Sequence, residues 1–228
     1  MNRAAKFQLP FEDRVDAASV LAERLMQYHG RDALVLGIPR GGVPVAAEVA
    51  RKLGADLDVI VARKLGAPEQ PELAIGAVTA DGGEFLNEGV VRALGVSREY
   101  IGGVRQRQME EARRRERRFR GGRPAARIED RVVIVVDDGL ATGATMRAAV
   151  RSVRNLGPRR LIVAVPVGSR EACAALGNEA DEVVCLSMPE PFGAVGYFYR
   201  HFEPVEDAEV DRLLREFPSR HAAATMGG

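Results

Sequence analysis

The sequence predicts an α/β fold: a mainly parallel sheet with helices on both faces. Continuous apolar runs recur at 33–39 (ALVLGIP), 57–62 (LDVIVA) and 132–136 (VVIVV). A strand buried on both faces reads as such a run, not as an alternation. Between the runs lie segments with apolar residues at helical spacing. Several run ends pass into loops rich in Gly, Pro and Thr, where open parallel sheets bind ligands. Repeated strand–helix–strand units leave a Rossmann-like layered sheet as the economical topology.

The elements follow in order. Asp13 to Tyr28 carries Val15, Ala18, Val20, Leu21 and Leu25 at helical spacing. The strand at 33–39 leads into a helix at 43–54, with Pro44 in its first turn and Gly54 at its end. The strand at 57–62 precedes a Pro-containing loop at 63–72, and 74–86 reads as a hairpin around Asp81-Gly82-Gly83. Glu88 to Arg120 is expected to be helical, 131–138 a strand and Ala144 to Leu156 a helix. Strand, helix and strand are expected at 159–167, 170–177 and 182–187. A loop rich in Pro, Gly and aromatics then leads to a helix from about Asp207 to Glu216, and 219–228 is expected to be disordered.

Composition narrows the function classes. The chain has 228 residues, 46% hydrophobic and 29% charged, with 33 Lys plus Arg against 32 Asp plus Glu. No global field steers it toward nucleic acid or a membrane. No apolar run approaches the ~18 residues of a membrane span, and the start MNRAAKFQLPFEDR has no apolar leader core. A cytoplasmic protein is expected. Cys173 and Cys185, far apart in sequence, read as buried thiols of a reducing compartment. His29, His201 and His221 form no metal-ligand spacing.

Residues 97–123 are rich in arginine. Glu110–Arg114, Glu111–Arg115 and Glu116–Arg120 are spaced as i,i+4 pairs, while Ile101, Val104, Ala112 and Phe119 form only a thin apolar stripe. The pattern reads as a solvated, salt-bridged helix. A subunit contact and a nucleic-acid surface are the alternatives.

The stretch VVIVVDDGLATGATM, Val132 to Met146, carries the chemistry. Five β-branched residues deliver Asp137 and Asp138 to a loop of Gly139, Leu140, Ala141, Thr142, Gly143, Ala144 and Thr145. Small residues, accessible amides and a helix start near Ala144 make a phosphate cradle. The Walker and G-x-G-x-x-G patterns are absent. Carboxylates beside a phosphate need hydroxyls or a cation to face, and a sugar phosphate supplies hydroxyls.

This stretch resembles the phosphoribosyl pyrophosphate signature of the type I phosphoribosyltransferases: an apolar strand, two acidic residues, and a loop ending Thr142-Gly143-Ala144-Thr145. IPRGGVP (38–44) is similar to the family's pyrophosphate loop, and VARKLG (61–66) to its basic pair after the next strand. The resemblance spans roughly residues 30–190. It implies a single domain over 1–218, with a long helical insertion at about 88–122 and a small hood at about 187–205.

The resemblance further implies a Mg²⁺-dependent transfer of ribose 5-phosphate from phosphoribosyl pyrophosphate to a nitrogen acceptor, a nucleobase above all, in a homo-oligomer. Asp137 and Asp138 would hold ribose hydroxyls and, through them or water, the metal. Residues 139–145 would hold the 5-phosphate. Arg40, Gly41, Gly42, Arg63 and Lys64 would bind pyrophosphate, with a cis peptide at Pro39–Arg40 and a mobile lid at 65–74. Phe192 and Tyr197 are the candidates to stack on the acceptor.

Two departures from the family pattern stand out. Members acting on 6-oxopurines carry an aspartate where this chain has Ala141, and the lid has no lysine or arginine. A regulator that keeps the fold and binds RNA or DNA through the arginine helix is the alternative function, although a nucleic-acid partner is not expected. A hydrolase or lyase of phosphoribosyl compounds is the third.

Overall fold

A computed structural model describes residues 8–217. The expected disordered tail and His221 lie outside them. The central sheet is wholly parallel, in the order β2-β1-β6-β7-β8. Its strands are β1 (Ala33–Gly37), β2 (Asp56–Val59), β6 (Val132–Val136), β7 (Arg160–Val167) and β8 (Glu182–Ser187). Every residue of β1 and β6 is buried, as the continuous apolar runs require.

The register is level at the carboxyl end, with Gly37 opposite both Val136 and Val59. The loops after β1 and β6 therefore leave the sheet side by side. One face is covered by α1 (Arg14–Leu25), α2 (Gly42–Leu53) and α7 (Asp207–Arg215); the other by α5 (Ala144–Asn155) and α6 (Arg170–Leu176). The α1 stripe departs from the expected one. Ala18, Leu21, Ala22 and Leu25 are buried in one core with α2 and Ala17 packs with Phe11, Val167 and Tyr199, while Val15 is 52% exposed.

The expected strand at 57–62 is divided. β2 ends at Val59, and the chain turns at Ile60–Val61 into a second sheet, β3 (Ala62–Ala67), β4 (Gln70–Thr79) and β5 (Glu84–Leu86), antiparallel in that order. The amide of Val61 donates to Glu116 Oε1 at 3.0 Å, outside the parallel ladder. The hairpin around Asp81-Gly82-Gly83 is the turn between β4 and β5.

The expected loop at 63–72 is largely strand. Arg63, Lys64 and Leu65 pair with Val78, Ala77 and Gly76. The register then jumps, so that Gly66 faces Ala74 and Ala67 faces Gln70. That irregularity accommodates Pro71, which cannot donate to a ladder. The segment expected to be a lid, 65–74, is built as a hairpin of β3 and β4.

The expected helix over 88–120 is two helices, α3 (Glu88–Ala93) and α4 (Arg98–Arg120). Gly95 at φ 61° ends the first, and the Ser97 side chain caps the second by accepting from Tyr100 N at 3.2 Å. α4 is not merely solvated. Val104 packs with Leu65, Ala67, Ile75 and Val78 under the lid hairpin, and Ala112 and Phe119 join the main core.

Its last turn is tied to the edge strand. Arg120 Nε donates to both Asp58 oxygens at 3.0 and 3.1 Å, and Arg120 Nη1 to Glu116 at 2.9 Å. The Glu111–Arg115 pair forms at 3.5 Å. Glu110 accepts from Gln106 instead of pairing with Arg114, which takes Glu111.

Candidate functional site

Asp137 and Asp138 follow the last residue of β6 and are half-buried. The amide of Asp138 donates to Asp137 Oδ1 at 2.9 Å. The chain of 38–42 lies directly against them. A Cβ at Gly41 would sit 2.0 Å from Asp138 Oδ2, and one at Gly42 2.7 Å from the Val136 carbonyl oxygen and 2.9 Å from Asp137 Oδ1. Both glycines are needed for that approach, a role distinct from the pyrophosphate contact expected of them. The peptide Pro39–Arg40 is cis, as expected.

One residue of this cluster escaped sequence reasoning. Arg14, the first residue of α1, donates from Nε to Asp138 Oδ2 at 2.9 Å and from Nη1 to the Glu203 carbonyl at 2.9 Å. Its guanidinium lies 3.8 Å from the centroid of the Phe202 ring. The Asp13 side chain caps α1 by accepting from Val15 N and Asp16 N, both at 2.8 Å, and so sets where Arg14 begins the helix. Arg14 and Asp138 are 124 positions apart. The only local signal is the cap itself.

Burial raises Asp137 well above the ordinary carboxylate range, and the charge of Asp138 adds to it. Burial also raises Asp138, against the pull of Arg14. The Tyr199 hydroxyl donates to the Asp138 carbonyl at 2.5 Å and is itself pushed upward by burial and by Asp138.

The loop expected to hold the 5-phosphate divides. Leu140 is buried, its amide donates to Val167 O at 2.9 Å and its carbonyl accepts from Ser169 N at 2.8 Å. Its backbone is thereby engaged with the neighbouring strand end, so it anchors the loop and is withdrawn from the expected phosphate contacts. Among the described residues, the amides of 141–145 donate to no backbone acceptor. They lead into and open α5, whose N-cap is Gly143 at φ 75°. Gly139 allows the Val195 side chain to pack closely, since a Cβ there would lie 2.4 Å from Val195 Cγ1.

The basic residues are placed unequally. Arg40 Nη1 lies 3.6 Å from Glu206 and 3.8 Å from Asp207, turned to the start of α7. Strand alternation separates Arg63 from Lys64. Arg63 Nε donates to Gln108 of α4 at 3.0 Å. Lys64 shares its strand face with Ala62, which packs with Ala144 and Ala148 of α5. A cleft of about 640 Å³ runs past Arg63 and Lys64 to Thr145 of the loop.

The aromatic pair separates too. Phe192 packs on Phe198 with ring centroids 5.0 Å apart, inside a cluster with Tyr199 and Phe202. It is a hood anchor and not the free stacking face expected. Tyr197 is 78% exposed and remains available.

The donor set at Asp137 and Asp138 suits a hard cation held indirectly. Mg²⁺ keeps several waters and takes one or two carboxylates with substrate oxygens. The guanidinium on Asp138 Oδ2 opposes direct ligation there, so contact through water or ligand hydroxyls is the arrangement that fits. No cluster of three or more His, Cys, Asp or Glu able to hold a metal alone occurs among the described residues. Among them, no helix is long and apolar enough to cross a membrane.

Comparison with known proteins agrees with this arrangement. A family model described as a phosphoribosyl transferase domain matches residues 12–198. The chain is 48% identical over 211 residues to "Putative phosphoribosyl transferase Rv0571c" of Mycobacterium tuberculosis, covering 91% of this chain and 48% of that protein. It thus spans about half the length of the curated relatives it matches. The crystal structure of TT1426 from Thermus thermophilus is 46% identical and superimposes with a TM-score of 0.78, covering 92% of this chain and 99% of the other. With the signature at the end of β6 and the loop 38–42 against it, the chain belongs to the type I phosphoribosyltransferase family.

Proposed function

We propose that the protein transfers ribose 5-phosphate from phosphoribosyl pyrophosphate to a nitrogen nucleophile, a nucleobase above all, with release of pyrophosphate. The observation that carries this reading is the acidic pair flanked by the amide-lined loop 141–145 and by the loop 38–42. The amides hold the 5-phosphate, and the carboxylates accept from the ribose hydroxyls. Mg²⁺, brought with the donor, would supply charge to offset the leaving pyrophosphate.

The chain's own contribution is position and field. The strand delivers the acidic pair rigidly, because Val132 to Val136 are buried and cannot shift without opening the core. Lys64 lies toward the loop and supplies a charge-assisted contact to a donor oxygen. Arg40 reaches pyrophosphate only by leaving Glu206 and Asp207. Tyr197 offers the exposed ring for the acceptor. The Ala141 position lacks the carboxylate that the family uses for 6-oxopurines, which argues against hypoxanthine and guanine as acceptors and leaves adenine or a non-purine amine.

The test is a panel of nucleobases incubated with donor and Mg²⁺, read as pyrophosphate. Release that requires one base supports the transferase. Release without a base supports a hydrolase. The nucleic-acid reading has less behind it, since Arg105, Arg114, Arg115, Arg118 and Arg120 of α4 are each paired to a carboxylate. Robust turnover of guanine would refute the reading of Ala141.

A further inference from the structure

The lid hairpin has no basic side chain beyond Lys64: residues 65–74 contain neither lysine nor arginine. The cleft beside it is nonetheless positively charged. Besides Arg63, Lys64 and Thr145, its walls include Arg107 of α4, against a single acidic residue, Glu72. Arg107 lies one position before Gln108, which receives Arg63.

Most arginines of α4 have partners in the fold. Arg105 reaches Glu84, Arg114 and Arg115 reach Glu111, Arg118 reaches Asp207, and Arg120 reaches Asp58. Arg113 donates to the Ala80 carbonyl at 2.7 Å. Arg98, Arg107 and Arg117 are not among these, and of the three only Arg107 lines the cleft. Among the described residues it has no ion-pair partner, and its Nη1 lies 3.7 Å from where a Cβ on Gly103 would be. An exposed arginine lining the same cleft as Lys64, which runs to Thr145 of the loop after β6, is placed for an anion from outside the chain.

We infer that α4, inserted between β5 and β6, supplies Arg107 as a phosphate-binding residue of the donor site, acting with Lys64 across the cleft. The inference rests on the phosphoribosyl reading above and adds a role for the arginine helix. It also accounts for the bare lid: the charge that the hairpin lacks comes from the helix packed beneath it. Val104, one turn before Gln108, holds that helix to Leu65 and Ala67. Arg107 and the strand carrying Lys64 therefore stay in a common frame.

Calorimetric titration of the full chain with phosphoribosyl pyrophosphate, and separately with ribose 5-phosphate, in Mg²⁺ tests this. The variants are Arg107→Gln and, as control, Arg117→Gln, an exposed arginine of the same helix that does not line the cleft. Unchanged thermal melting checks that both fold. We expect Arg107→Gln to weaken phosphoribosyl pyrophosphate about tenfold, in keeping with loss of one charged hydrogen bond, and Arg117→Gln to leave it unchanged. An undiminished affinity for ribose 5-phosphate in Arg107→Gln assigns the contact to the pyrophosphate end; a parallel loss assigns it to the 5-phosphate. Wild-type affinity of Arg107→Gln for both ligands overturns this inference alone. Equal losses in the two variants overturn it as well, because they reduce it to general charge. Failure of the wild type to bind either ligand overturns the phosphoribosyl reading itself.

Discussion

The proposed ribose contact asks Asp138 to be an anion, and burial resists one. Arg14 favours the charged form, at 2.9 Å and with the Phe202 ring against its guanidinium. Replacing Arg14 by alanine leaves a half-buried carboxylate pair without its cation, and donor affinity should fall about tenfold or more; lysine should restore only part, because the flat contact with Phe202 is lost. Unchanged affinity in Arg14→Ala by titration calorimetry would remove Arg14 from the site. The acidic pair itself predicts a pH effect. Asp137 is raised well above its ordinary value, so the native state holds that proton more tightly than the unfolded chain. Stability from this source is present at low pH and is lost as pH rises from the unfolded value, about 3.9, through the folded one. The double variant Asp137→Asn, Asp138→Asn should therefore be more stable than wild type at neutral pH without ligand, and the difference should vanish in acid. Urea unfolding across pH measures it. The same variant should lose about 1.5–3 kcal/mol of donor binding per charged hydrogen bond removed. An affinity equal to wild type would show that the pair does not hold the ribose.

Among the elements, the loop 38–42 and helix α4 decide most. A methyl group at Gly41 would lie 2.0 Å from Asp138 Oδ2. Gly41→Ala must push the loop off the acidic pair, and it should abolish donor binding while sparing the core, since the position is half-buried at the surface. Retained binding would show the loop to be freely adaptable. α4 acts as the floor of the lid. Val104 is buried against Leu65, Ala67, Ile75 and Val78, so Val104→Asp places a charge in that small cluster. Hydrogen exchange at 65–67 should accelerate, while the amides of β6 keep their protection. Equal protection in both regions would show that the hairpin stands without the helix.

At the scale of the whole molecule, the two sheets are joined by α4 and α5, and the amino end of the parallel sheet is closed by Arg131. That side chain is only 4% exposed and donates to Asp56 at 2.8 Å and to the Ala33 carbonyl at 3.2 Å. Arg131→Ala breaks a buried pair and should cost about 3–5 kcal/mol of unfolding free energy. The site lies at the opposite end of the strands, so donor affinity of the remaining folded protein should not change. A variant as stable as wild type would mean that the pair merely offsets its own desolvation.

The parallel sheet, its order of strands and helices along the chain, and the small-residue loop at the end of β6 were legible in the sequence, because each depends on local pattern: runs of β-branched residues, helical spacing, and small residues after a strand. The cis peptide and the glycines of 38–42 were legible through the resemblance, although the reason for those glycines was not. Tertiary structure alone decided the remainder. Arg63 and Lys64, adjacent in sequence, part because strand residues alternate between faces. The Leu140 amide is taken by the neighbouring strand end and is not free for the phosphate contact expected of it. Phe192 enters the hood, where its ring packs on Phe198. Arg14 reaches Asp138, and Arg107 reaches the cleft of Lys64, across separations that no local spacing encodes. Such partnerships arise when packed elements bring distant side chains within hydrogen-bonding range, and their distances are properties of the folded chain.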